Sequence, residues 1–164
     1  MASEQEKIAY LEDRVSYEVV MLNYTFMRLL TAQRSTPEEQ LDRNAFLEAF
    51  GVHARNLVEF LSNEARGDER GAFDYVPGFQ APDQAPVQRA LLRLERQILR
   101  MPAPRATDRR ERFDVDDARE LYAWIVPAIL RFQEQLNPPY RASLSALGQT
   151  EPLTRGSGET DRGC

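Results

Sequence analysis

The sequence predicts an all-α fold, an antiparallel four-helix bundle with an ordered loop between helices 2 and 3 and a disordered C-terminal tail. Four segments carry apolar residues at spacings of three and four, the pattern of one apolar helix face. Three of these segments begin after a Ser, Thr or Asp that can cap a helix. The connections are short or apolar enough to fold back on the helices, which favours antiparallel neighbours.

Length and composition indicate one globular domain, predicted at residues 1–140 and followed by a polar tail at 141–164. The net charge of -5 does not favour nucleic acid or anionic membranes as partners. No apolar run is long enough to cross a bilayer, and no export signal is evident. The single cysteine, Cys164, permits no internal disulfide and fits a reducing cytoplasm. Of the 21 basic residues all but Lys7 are arginine, a bias that suggests a GC-rich bacterial genome.

The first helix is predicted over residues 4–34, with Ser3 and Glu6 as a capping box. One apolar stripe along it consists of Ile8, Leu11, Val15, Val19, Leu22, Phe26 and Leu29. A second stripe carries Tyr10, Tyr17 and Tyr24, each seven residues apart. A helix that is apolar on two sides is buried on two sides. The helix is therefore either central to the bundle or shared with a partner chain, and the tyrosines are a candidate dimer interface.

The second helix is predicted from Pro37 to about residue 66, capped by Thr36 with Glu39. Its apolar face carries Phe46, Phe50, His53, Leu57 and Leu61. Residues 67–85 contain three glycines and two prolines but also several aromatic residues. This composition predicts an ordered loop packed across the bundle.

The third helix is predicted from near Pro86 to Met101, and the fourth from a cap at Asp114 to about Leu136. Their apolar seams carry Val87, Leu91, Leu94, Ile98 and Met101, and then Val115, Ala118, Tyr122, Ile125, Ile129, Phe132 and Leu136. Pro127 falls inside the fourth helix, where it removes one hydrogen bond or causes a kink.

Motifs for catalysis or metal binding are missing from the sequence. His53 is the only histidine and Cys164 the only cysteine, so neither a zinc site nor a Glu-x-x-His di-metal site can be assembled. No nucleophile elbow or phosphate-binding loop is present. We predict no metal, no cofactor and no catalytic residue, and we favour a non-catalytic protein.

His53 allows two interpretations. It is either a core-edge histidine hydrogen-bonded to a neighbour, or a base or nucleic-acid contact that acts with Arg55 and Asn56. We favour the first because the sequence offers no catalytic partner.

An arginine surface is predicted on the third helix. Arg89, Arg93, Arg96 and Arg100 fall on one line opposite the apolar seam, and the stretch from Arg89 to Arg112 has a net charge of +5. Such a surface can bind phosphates or an acidic protein. Because the whole protein is acidic, we favour a solvated face partly paired with Asp and Glu of neighbouring helices.

Two segments, NAFLEAFGVHARNLVEFL (44–61) and LERQILRMPAPR (94–105), resemble small uncharacterised bacterial helical proteins. Those proteins are similar to HEPN-type helical bundles, many of which are dimeric RNases of defence and toxin–antitoxin systems with an R-x(4–6)-H motif. The resemblance implies a helical bundle. Glu95 and Arg100 stand where the motif residues would fall, so it also implies that the nuclease site is absent.

Three functional hypotheses follow. The first is a non-catalytic bundle that acts by protein–protein association, as a homo-oligomer or with another protein. The second is an HEPN-like nucleic-acid-binding or RNase-type module that uses the arginine surface, an alternative that we do not favour. The third is an enzyme with carboxylates in an interhelical pocket, for which no residues can be named.

Overall fold

The computed structural model describes residues 3–33, 35–63, 70–99 and 112–144 of the chain, without the side chains at 98 and 99. Within these ranges every regular element is helical, so the all-α prediction is confirmed. The α-helices are α1 (Glu4–Tyr10), α2 (Ser16–Thr31), α3 (Pro37–Ser62), α4 (Gln88–Leu94), α5 (Val115–Gln135) and α6 (Pro138–Ser143). Of the helices in the described ranges, none combines the length and the apolar character that a bilayer crossing requires.

The first predicted helix is continuous, but its turn widens between α1 and α2. Leu11–Val15 are π-helical, and the amide of Ser16 donates to the carbonyl of Leu11, five residues back. A π turn holds one residue more than an α turn. The buried residues Leu11, Val15 and Val19 are four apart, a spacing that drifts around an α-helix of 3.6 residues per turn. The wider turn therefore keeps all three on the core side.

The predicted caps are confirmed at the three long helical segments. Ser3, Thr36 and Asp114 each accept a hydrogen bond from the backbone amide three residues on. Asp117 completes a further capping box at the start of α5 by accepting from the amide of Asp114 at 3.1 Å. These local contacts satisfy amides that have no partner inside the helix.

The helix limits differ from the predicted ones by a few residues. The first helix ends at Thr31, before the predicted limit at 34. The second ends at Ser62, and its predicted limit at 66 lies outside the described residues. A 3-10 turn, Ala85–Val87, precedes α4, and a π-helical segment, Glu95–Leu99, follows it. The predicted end of the third helix at Met101 is outside the described residues.

Pro127 lies within α5, and the helix continues through it. Proline has no amide hydrogen, so the carbonyl of Ala123 loses its usual donor. Ala123 and Pro127 are both exposed, and water can therefore satisfy that carbonyl.

The core forms where α2, α3, α4 and α5 bring their apolar seams together. Ring contacts pair Tyr17 with His53 and Tyr24 with Phe46, so α2 and α3 run antiparallel. The buried apolar members of the predicted seams are Leu11, Val15, Val19, Leu22, Phe26, Leu29, Phe50, Leu57, Leu61, Val87, Leu94, Ala118, Ile125, Ile129, Phe132 and Leu136. The prediction that these side chains meet in one interior is confirmed, whereas the side chain of Ile98 lies outside the description.

The described part of the connecting loop, residues 70–87, packs on the helices. Tyr75 and Phe79 are buried, with ring centroids 6.3 and 5.4 Å from that of Phe132 on α5. Burial raises the pKa of the Tyr75 hydroxyl, which stays protonated and donates to the carbonyl of Lys7 at 3.3 Å. The ammonium of Lys7 in turn donates to the carbonyl of Asp74 at 2.7 Å. The loop is thereby tied to α1 as well as to the core.

The loop passes so close to the end of α3 that position 71 has no room for a side chain. Asn63 ends the helix in the left-handed conformation, with φ of 58°, and its Oδ1 accepts a hydrogen bond from the amide of Phe73 at 2.6 Å. A Cβ at Gly71 would lie 2.7 Å from that oxygen. A side chain at Gly71 would therefore push the loop away from the helix end.

The chain continues past the fourth predicted helix into α6, a short helix that the apolar spacing does not predict. It crosses the predicted domain boundary at residue 140, and Ser143 and Leu144 at its end are buried. The remainder of the predicted tail, from residue 145 onward, lies outside the described residues.

Candidate association surface

An exposed apolar stripe runs along α2 on the side away from the core. Its members Tyr17, Val20, Tyr24 and Met27 follow the three-four spacing of a helix face, and their exposed fractions are 54%, 48%, 46% and 56%. Large apolar side chains grouped on one face are typical of a surface that contacts another protein. Of the two apolar sides predicted for this helix, the described residues therefore cover only one.

Contacts with α3 hold the aromatic members of the stripe in place. The ring of Tyr24 packs edge-on against Phe46, with centroids 6.4 Å apart. The ring of Tyr17 packs in the same manner against His53, at 5.8 Å. Ordered aromatic side chains lose little conformational entropy on binding, which favours them at interfaces.

Tyr10 does not belong to this stripe, contrary to the prediction. It is half-buried against the core, and the guanidinium of Arg70 lies 5.9 Å from its ring centroid. The π-helical segment Leu11–Val15 between Tyr10 and Tyr17 holds an extra residue per turn. The extra residue changes the angle about the helix axis between Tyr10 and Tyr17. In a regular α-helix, residues seven apart would lie on the same face.

A polar cluster, Glu18 with His53 and Asn56, borders the stripe on the α3 side. Oε2 of Glu18 lies 2.7 Å from Nδ1 of His53, and Oε1 accepts from Nδ2 of Asn56 at 3.1 Å. The side chains of His53 and Glu18 are largely buried. Both oxygens of the carboxylate are thus used to fix side chains of α3, and His53 has the hydrogen-bonded core-edge position of the favoured interpretation.

Of the three predicted site residues His53, Arg55 and Asn56, the structure brings only His53 and Asn56 into one cluster. His53 and Asn56 come together through Glu18, whereas Arg55 donates from Nε to Glu59 on the same helix at 2.8 Å. Glu18 was not predicted as the partner of His53, because the two residues are 35 positions apart in the chain. The sequence does carry a sign of this contact. Glu18 is the only charged residue between Val15 and Met27, and a charged side chain in a mostly apolar helix segment needs a polar partner.

We expect Glu18→Ala to destabilise the protein by about 1–3 kcal/mol, because it removes the hydrogen-bond partner of Nδ1 of His53, whose side chain is only 11% exposed. Urea unfolding followed by circular dichroism measures the change. Glu12→Ala is the control, since Glu12 is exposed on the same helical segment, and its effect should stay below about 0.5 kcal/mol. Equal stabilities of the two variants would contradict a structural role for the cluster.

The arginines that were predicted to form one surface on the third helix differ in their environments. Nη1 of Arg93 lies 2.8 and 3.1 Å from the two carboxylate oxygens of Asp117 on α5, and the Asp117 side chain is only 5% exposed. Arg89 and Arg96 are exposed, and Arg100 lies outside the described residues. Arg93 is therefore paired with an acid of a neighbouring helix and is not part of the solvated face.

In residues 3–33, 35–63, 70–99 and 112–144 no three His, Cys, Asp or Glu side chains lie close enough together to hold a metal ion. A shallow depression between α2, α3 and α5 is lined by apolar residues and Asn23. Asn23 accepts from the hydroxyl of Tyr122 at 2.7 Å, and burial raises the pKa of that hydroxyl.

Comparisons with protein-family models, with curated proteins and with solved structures found no match for this chain. The resemblance to HEPN-type bundles stays a prediction from the two sequence segments.

Proposed function

We propose that this protein is a non-catalytic antiparallel four-helix bundle that acts through protein–protein association, and that the stripe Tyr17, Val20, Tyr24 and Met27 is its association surface. The partner is a second copy of the chain. The observation that carries the proposal is the exposure of four large apolar side chains on one face of α2. Burying such side chains contributes roughly 25 cal/mol per Å² of apolar surface.

The environment of the stripe supports the same proposal. Its tyrosines are already held by α3 through Phe46 and His53, so little order has to be created when a partner binds. Tyrosine and methionine are enriched in interface cores, where charged residues are depleted.

A dilution series in the analytical ultracentrifuge tests the proposal. We expect the wild type to form a dimer, and Val20→Glu to weaken it by more than about 100-fold in Kd because it places a charge in the apolar centre of the interface. Leu130→Glu is the matched control: Leu130 is an exposed leucine of α5, 44% accessible and off the stripe, so the dimer should persist. A wild type that stays monomeric at every concentration, or a Val20→Glu variant that still dimerises, would contradict the proposal.

The alternative is an HEPN-like nucleic-acid-binding or RNase-type module. Its support is the exposure of Arg89 and Arg96 on one side of α4 and its π-helical extension. The pairing of Arg93 with Asp117 counts against it, because this arginine is engaged within the protein. RNA binding at low salt that is lost in Arg89→Glu and Arg96→Glu would favour the alternative.

A further inference from the structure

The two ends of the apolar stripe carry opposite charges. Asp13 is exposed one turn before Tyr17, and Arg28 is exposed one turn after Tyr24. The guanidinium of Arg28 lies over the ring of Phe46, 5.1 Å from its centroid. This contact keeps the positive charge at the edge of the stripe, beside α3.

The charges and the tyrosines are centred on the same point of the helix. Residues 13 and 28 are equally distant from the midpoint between residues 20 and 21, and so are residues 17 and 24. A rotation by 180° about an axis at that midpoint exchanges Asp13 with Arg28 and Tyr17 with Tyr24. A dimer with two-fold symmetry needs a surface that is complementary to itself in this manner.

We infer that two copies of the protein pack α2 against α2 in antiparallel orientation, with the two-fold axis beside Val20. Asp13 of each copy then faces Arg28 of the other, and Tyr17 faces Tyr24. A parallel arrangement would bring like charges together at both ends, which disfavours it. This inference rests on the proposed dimer and adds to it an orientation and a register.

Single-cysteine variants test the register, because Cys164→Ser removes the natural thiol. In that background we expect Val20→Cys to form an intermolecular disulfide on mild oxidation, since the two copies of residue 20 meet near the axis within the roughly 7 Å that a disulfide spans. Thr31→Cys is the control. Thr31 is exposed at the end of the same face, and its two copies would lie roughly 30 Å apart at 1.5 Å per residue. Cross-linking through residue 31 and not through residue 20 would overturn the antiparallel arrangement.

Charge reversal provides a second, independent test. We expect Asp13→Arg and Arg28→Asp each to weaken the dimer by about tenfold or more, because each change replaces two symmetry-related attractive contacts with repulsive ones. The double variant restores opposite charges and should dimerise to within about threefold of the wild type. A double variant weaker than either single variant would overturn the charge pairing.

The outcomes separate this inference from the proposed function. A wild type that never dimerises rejects both. A dimer that Val20→Glu disrupts, but that fails both the cross-linking and the charge-reversal tests, rejects only the antiparallel register and leaves the association surface in place.

Discussion

Replacement of Phe132 by alanine should lower the free energy of unfolding by about 3–5 kcal/mol, the range for buried aromatic residues truncated to alanine. Phe132 is fully buried in α5. Its ring centroid lies 5.2 Å from that of Phe60 on α3 and 5.4 Å from that of Phe79 in the loop. The change therefore leaves a cavity where two helices and the loop meet, and the loop loses part of its attachment.

Chemical denaturation of the wild type and the variant measures this effect. Phe73→Ala is the matched control, because Phe73 lies in the same loop but is 54% exposed, so its effect should be below about 1 kcal/mol. If both variants lost the same stability, the loop would not be anchored through Phe132.

Replacement of Arg93 by methionine is expected to cost about 2–4 kcal/mol, because breaking a buried ion pair from one side leaves an uncompensated charge. The Arg93 side chain is 18% exposed and that of its partner Asp117 is 5% exposed. Methionine keeps much of the length and apolar volume of the arginine stem, so the loss reports mainly on the charge. Asp117 also belongs to the capping box of α5, and a disturbed carboxylate should weaken the start of that helix.

Arg89→Met is the control for this prediction, since Arg89 lies one turn earlier on α4 and is exposed. Its effect on stability should stay within about 0.5 kcal/mol. Thermal or urea unfolding of both variants decides between the two interpretations of the arginine line. Equal and small effects would show that Arg93 is not a structural partner of Asp117 and would reopen a role for it in binding phosphates.

The proposed function depends on which apolar side chains of α2 are exposed among the described residues. Tyr17, Val20, Tyr24 and Met27 lie on the same helix as the buried Val19, Leu22, Phe26 and Leu29. Both sets satisfy the spacing of a helix face, so spacing alone cannot say which face the chain covers. The exposure of the first set makes α2 the helix most suited to carry an interface.

The amino-acid sequence by itself determined the long helical segments and the starts of three of them, at Glu4, Pro37 and Val115. Apolar spacing and the caps at Ser3, Thr36 and Asp114 act within one or two turns, so the residues that decide them are close together in the chain. The sequence also indicated candidate core members of each helix, although on α2 two apolar stripes follow the same spacing and only the tertiary structure shows which one is buried.

Only the tertiary structure decided which polar and aromatic residues act together. Glu18 meets His53 across 35 residues, and Arg93 meets Asp117 across 24. These pairs depend on how α2 packs on α3 and α4 on α5, which no local pattern specifies. The π-helical turn that removes Tyr10 from the stripe likewise follows from packing, since it arises where the core requires three successive contacts at a spacing of four.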